Sequence, residues 1–228
     1  MLHSSCSKAA LMLSQLLAAA FTTAAIQHVA SSTPIKYQYD YSSLSCPSSS
    51  LSTLITPTYG RSGALFTVCS SITINAPPTT VRDVVIGFRS YHVWNSFVVS
   101  VSVPSNVTET PQDDYVGMPM VFTTSGLVKG FNTTSAEVLT NVDGEGVGAD
   151  GKPYLLVSWR YNDKFFGVGA RAEHPVVIVD LGDGSSWVLS YETYYLGLIT
   201  PAIALLKSSL QEQFDAQSTN LKTYIENR

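Results

Sequence analysis

Residues 200–228 read TPAIALLKSSLQEQFDAQSTNLKTYIENR, and their apolar spacing decides the fold. Ile199, Ile203, Leu206, Leu210, Phe214, Gln217, Leu221 and Tyr224 recur at steps of four or three, and all but Gln217 are apolar. This is the stripe of an amphipathic helix. Thr200 is placed to cap the free amides of the first turn, and Pro201 suits the first helical position. No glycine or proline follows, so the pattern predicts one unbroken helix. At about 1.5 Å per residue it would run roughly 40 Å, enough to cross a small domain. Its stripe must be buried, and the rest of the chain, mostly strands, supplies the surface.

The 228 residues suffice for one domain with a sizeable core and a short extension. A net charge of −4 without a Lys/Arg cluster excludes a nucleic-acid partner. Aromatic residues are plentiful (12 Tyr, 9 Phe, 3 Trp) and charged ones scarce, which suits an apolar cavity as well as a core.

Residues 1–30 read as a secretory signal peptide. Lys8 lies in a polar start, 9–25 is apolar and small, and Ala25 and Ala30 offer cleavage points. A retained signal anchor is the competing reading, but Ser14, Gln15, Thr22 and Thr23 interrupt the run. No other stretch is long and apolar enough to span a bilayer, so no stable membrane insertion is expected after cleavage. Asn106-Val107-Thr108 and Asn132-Thr133-Thr134 are N-glycosylation sequons in turn-like stretches. Cys6 leaves with the signal. Cys46 and Cys69 remain, an even pair that suggests one disulfide in an oxidising compartment. It would pin the N-terminal arm to the first strand; two free thiols, with Cys69 simply buried, are the alternative. The expected location is outside the cell or in the secretory lumen.

Residues 31–62, rich in Ser, Thr and Pro, form an expected arm, and the body spans 63–228. Phe66, Val68, Ile72 and Ile74 share one face of a strand. A short helix opens near Thr79, and a second covers 90–95. Phe97, Val99, Val101 and Val103 alternate with serines in a half-buried strand. Further strands are expected at 118–125, 135–142, 154–161, 172–180 and 186–194, with tight reversals at Asp143-Gly144 and Gly182-Asp183-Gly184. The fold class is α+β: a curved antiparallel sheet around the final helix.

Ile72-Thr73-Ile74-Asn75-Ala76-Pro77, then Val81-Arg82-Asp83-Val84-Val85, then Tyr91-His92-Val93-Trp94-Asn95-Ser96-Phe97 resembles the opening of the START/Bet v1-like (SRPBCC, polyketide cyclase/dehydrase-type) superfamily. Tyr191-Glu192-Thr193-Tyr194-Tyr195-Leu196-Gly197 and Leu221-Lys222 are similar to its ending. The resemblance spans about residues 63–228. It implies a helix-grip fold, with seven antiparallel strands gripping the C-terminal helix over two short helices. It also implies an apolar cavity between sheet and helix that binds lipids, sterols, hormones or polyketides. Some relatives run cofactor-free cyclisations or dehydrations there.

Gly146 to Lys152 spells G-x-x-x-x-G-K, but Pro153 stands where Ser or Thr should hold magnesium, so a glycine-rich hairpin is the better reading. His92 and His174 have no metal-ligand spacing to other His or Cys, and neither a metal nor a cofactor is expected. Arg160, Arg171 and Glu192 lie on neighbouring strands. On a shared concave face they would orient a carbonyl or enolate; on the outer face they would be ordinary cross-strand pairs. Tyr161 alternates opposite Arg160, and Tyr191 and Tyr194 take opposite faces, so at least one of the last two faces inward and could donate to an oxyanion. The candidate catalytic set is Arg160, Glu192, Tyr194 and His92, the last as a rim base. The candidate ligand contacts are Trp94, Phe97, Tyr161, Arg171, Tyr191, Tyr195 and Leu198. For Trp94-Asn95 a packing role outweighs a catalytic one, with Trp94 at the base of the fold and Asn95 capping a turn.

Two function classes follow for a small hydrophobic partner (polyketide, terpenoid or lipid). One is a cofactor-independent cyclase or cycloaddition catalyst of natural-product biosynthesis, and the other a non-catalytic carrier. Convergence of Arg160, Arg171, Glu192 and the tyrosines inside the cavity would favour the first; the same residues pointing out, around a purely apolar cavity, would favour the second.

Overall fold

The computed structural model describes residues 39–49, 52–162 and 169–228. The expected signal peptide and the first part of the expected arm lie outside the described residues. Seven strands form one antiparallel sheet: β1 (Ala64–Ile74), β2 (Val98–Ser102), β3 (Pro119–Val128), β4 (Phe131–Val147), β5 (Pro153–Tyr161), β6 (Arg171–Asp180) and β7 (Ser186–Tyr195). Their order is β1-β7-β6-β5-β4-β3-β2, so the first strand pairs with the last and the others follow as a meander. Helices α1 (Pro78–Val85) and α2 (Tyr91–Trp94) join β1 to β2. Helices α3 (Thr200–Ala204) and α4 (Lys207–Glu226) follow β7. None of the described helices is long and apolar enough to cross a membrane.

Local chemistry explains most of these elements. Pro78 opens α1, where its missing amide costs nothing, and Val81, Val84 and Val85 turn inward. The Asn95 side-chain oxygen accepts from the amides of Phe97 and Val98, both at 2.9 Å, and so turns the chain from α2 into β2. Gly182 and Gly184, at φ +82° and +84°, reverse β6 into β7. Leu210, Phe214, Leu221 and Ile225 of α4 bury against the sheet's inner face beside Val68, Trp159 and Ile178.

Three expectations are corrected. The final helix is not continuous: the chain bends at Leu205 and Leu206, leaving Leu205 85% exposed and Leu206 turned to the inner cavity. Thr200 does not cap; it sits within α3, fully buried, and its hydroxyl finds no partner. Asp143-Gly144 is no reversal either. The pair lies inside β4 at a shift of register against β5, and a bulge absorbs it without ending the strand. The chain reverses at 148–152 instead, with Gly151 at φ +82°. The glycine-rich G-x-x-x-x-G-K stretch spans this hairpin.

The sheet carries a core on each face. On the outer face Tyr41, Leu44 and Leu54 of the arm pack against Cys69, Leu156, Val177, Leu189 and Tyr191. The arm is also tied by hydrogen bonds: Tyr191 donates to the Ile55 carbonyl (2.6 Å), Thr193 to Leu54 (2.9 Å) and Tyr195 to Gly60 (2.6 Å). Fully buried Glu173 accepts from the Thr58 amide (2.8 Å) and hydroxyl (2.7 Å). The Cys46–Cys69 disulfide fastens arm to β1 across 23 residues. Replacing both cysteines with alanine should lower stability by about 3 kcal/mol on the loop-entropy account. Urea unfolding measures this, and an unchanged midpoint would mean that side-chain packing alone holds the arm.

Candidate functional site

Inner face, α3 and α4 enclose a cavity of about 320 Å³. This is near the lower end of the roughly 300–1,000 Å³ typical of small-molecule sites. Phe97, Phe122, Leu127 and Trp159 line it from the sheet side, and Ile199, Ile203, Leu206 and Leu210 from the helix side. Into this apolar wall project Glu137 from β4, Tyr161 from β5, His174 from β6, Glu192 and Tyr194 from β7, and Gln217 from α4.

Strand alternation sets this constellation. Residues two apart share a face, so Glu192 and Tyr194 point inward with Val188, and Tyr161 with Trp159 and Val157. The Tyr194 hydroxyl donates to Glu192 Oε2 at 2.8 Å. Burial pushes the Glu192 carboxyl up to about 7, opposed by that hydrogen bond. Its side chain is surrounded by protein yet keeps some accessible surface, because it faces the cavity. Burial holds Glu137 well above the usual carboxylate range, and the Glu192 charge adds to this, while a hydrogen bond with Ser135 works the other way. The Tyr161 and Tyr194 hydroxyls are pushed upward by burial and then by Glu192. His174, with Nε2 2.8 Å from the Ser190 hydroxyl, lies between the rings of Trp159 (4.4 Å) and Phe214 (4.8 Å). Burial drives its pKa down to about 3, so it is neutral. Two carboxyl groups with raised pKa values and two tyrosines in one apolar chamber can share, accept and return a proton near neutral pH.

The structure separates the residues singled out in the sequence. Glu192, Tyr194, Tyr161 and Phe97 line the cavity together. Arg160 and Arg171 do not join Glu192: both lie on the outer face against the Tyr59 ring, 5.9 and 4.2 Å from its centroid. Alternation is the reason, since Arg160 precedes inward Tyr161 and Arg171 pairs in register with Tyr195. Tyr191 and Tyr195 are likewise on the outer face, bonded to the arm. His92 is exposed on α2, its Nδ1 3.0 Å from the Arg89 carbonyl oxygen. Trp94 is buried at the base of the fold, stacked on Tyr224 at 6.3 Å, and does not line this cavity. Leu198 is 74% exposed and also outside it. Asn106 and Asn132 are exposed, and Asn132 sits at the start of β4 beside Thr133, which lines the cavity.

Three functional candidates were missed in the sequence: Glu137, His174 and Gln217. Each left a trace. Glu137 has the parity of buried Leu139, His174 interrupts an apolar run, and Gln217 is the one polar member of the helical stripe.

No family model and no curated protein matches the chain. Solved structures do. The chain is similar to the Zhui aromatase/cyclase of Streptomyces sp. R1128 at 11% identity and a TM-score of 0.51, over 71% of this chain and 94% of that one. It is similar to a hypothetical protein of Helicobacter pylori at 14% identity and a TM-score of 0.51, over 76% and 96% of the two chains. A START superfamily protein of Mycobacterium smegmatis aligns at 14% identity and a TM-score of 0.44, over 71% and 97%. At these identities the likeness speaks for architecture alone. With seven antiparallel strands curled against a C-terminal helix above two short ones, the chain has the helix-grip fold of START/Bet v1-like proteins.

Proposed function

We propose that the protein binds a small hydrophobic molecule in the inner cavity and catalyses its cyclisation there by acid–base chemistry, without a cofactor. The observation that carries this reading is the convergence of Glu137, Glu192, Tyr161 and Tyr194 on one chamber whose remaining lining is largely apolar. A carrier needs no such group of polar side chains, and burying them without function would cost stability.

Two neighbouring carboxyl groups that repel one another titrate apart, so near neutral pH one is ionised while the other keeps its proton. Glu192, whose charge is what pushes Glu137 further up, is the base. It removes a proton from carbon beside a substrate carbonyl. Protonated Glu137 donates a hydrogen bond to that carbonyl oxygen as negative charge builds on it. The enol carbon then bonds to an electrophilic carbon of the same folded substrate, and the proton on Glu192 passes to the new oxyanion. The apolar wall holds the flexible chain in a reactive fold, which can itself supply about 7 kcal/mol or more. We further propose entry into the secretory pathway after cleavage of residues 1–30, with glycans on Asn106 and Asn132.

The test is a metabolite profile by liquid chromatography and mass spectrometry, with and without the protein in its source organism. Loss of one cyclised product with build-up of a less cyclised isomer is the expected result. If the same compounds persist and only their partition between cell and medium shifts, the enzyme reading fails and the protein is a carrier.

A further inference from the structure

Among the described residues the cavity lining is rich in hydrogen-bond acceptors and holds no Lys or Arg, while the Arg160 charge reaches Glu137 from outside that lining. Glu137 and Glu192 present carboxyl oxygens from the sheet. From the opposite wall Gln217, only 8% exposed, lines the same space, and its Oε1 has no hydrogen-bond partner. A buried acceptor left unpaired is costly until a donor reaches it. The Tyr194 hydroxyl is already engaged by Glu192, and His174 is engaged by Ser190. No Lys or Arg is among the described residues that line the cavity. The aromatic faces around it, Trp159 foremost, attract cations rather than anions.

We infer that the ligand class is an apolar amine: a small hydrophobic body with one protonated nitrogen, held among Glu137, Glu192 and Gln217. This rests on the cavity being the ligand site proposed above and makes that reading more specific. The desolvation of the Glu192 carboxylate exists in the empty protein, so an entering cation relieves it instead of adding a new burden. Its N–H groups also satisfy the orphaned Gln217 oxygen. An alcohol brings one donor and no charge, and a carboxylate brings further repulsion. The titratable groups facing the nitrogen are Glu137, Tyr161, His174, Glu192 and Tyr194. The tyrosines stay protonated and His174 stays neutral around neutral pH, so the glutamates alone govern the pH dependence, and the amine should bind more tightly as pH rises.

The experiment is calorimetric titration of the purified protein with phenylbutylamine, phenylbutanol and phenylbutanoate, at about pH 5 and about pH 8. The amine is expected to bind about ten- to a hundred-fold more tightly than the alcohol, with the carboxylate weakest. Its advantage should be larger at the higher pH. Glu192→Gln and Gln217→Leu should each shrink that advantage. An alcohol that equals or outdoes the amine overturns the amine inference, while the cavity still stands as a hydrophobic site. If none of the three binds, the cavity reading falls with it.

Discussion

Glu192→Gln is expected to cut turnover by about 10²–10⁴-fold and, at the same time, to make the protein more stable in alkali. The two effects share one cause. In the fold the carboxyl titrates near 7, while unfolded it titrates near 4.5. Between those values the folded protein holds a proton that the unfolded chain has released. Stability is therefore full below about 4.5 and falls as pH rises through about 7. The loss approaches about 3 kcal/mol, and glutamine, which carries no charge, escapes it. Removing this charge also lessens the repulsion felt by Glu137. Urea midpoints for wild type and variant should coincide near pH 4 and separate near pH 9, with the variant higher. A variant less stable than wild type at the alkaline end would mean that the carboxylate is stabilised in the cavity, and the base assigned here would be lost with it.

Acid should expose a different weakness, seated at His174. Its pKa falls from 6.5 to about 3 because the ring is enclosed between Trp159 and Phe214. As pH drops below 6.5 the unfolded chain takes up a proton that the folded ring refuses, so stability drains away toward pH 3. The expected loss from this one residue is roughly 5 kcal/mol, a large share of the stability of an ordinary domain. His174→Gln keeps a polar partner for Ser190 and carries no titrating group, so its stability should vary far less with acid. The check is thermal unfolding of both proteins across pH 7 to about 3.5. Parallel curves would show that some other group drives acid unfolding.

Much of the fold was legible because it rests on periodicities. The helical spacing from Leu210 to Tyr224, the alternation in β2 and the glycines at 182 and 184 each report a local rule that the packed protein keeps. The bend at Leu205 and Leu206 was not legible, since no glycine or proline marks it. The polar groups of the cavity were half legible. Alternation correctly separated Tyr191 from Tyr194, but it does not say which parity faces the helix, so Arg160, Arg171 and Glu192 could all be imagined inside. What settles their faces is register: β1 pairing with β7, and the arm covering the surface where the arginines lie. Those are contacts between residues more than a hundred positions apart. Local patterns carry no information about them. Glu137 and Gln217 escaped for a related reason, because one polar residue within an apolar pattern reads as a tolerated exception until the cavity it borders is known.

The pairing of β1 with β7 also governs how the protein can be made. A nascent chain leaving the ribosome exposes Ala64–Ile74 early, yet that strand's neighbour in the sheet among the described residues, Ser186–Tyr195, is synthesised more than a hundred residues later. The helix that covers the inner face follows later still. Until then an apolar edge strand stands open, the kind of surface on which chains stick to one another. The sheet can therefore gain its first strand only after Ser186–Tyr195 has been made. Substitutions that slow the closing of β7 should therefore lower the yield of protein well before they alter the properties of the molecules that do fold.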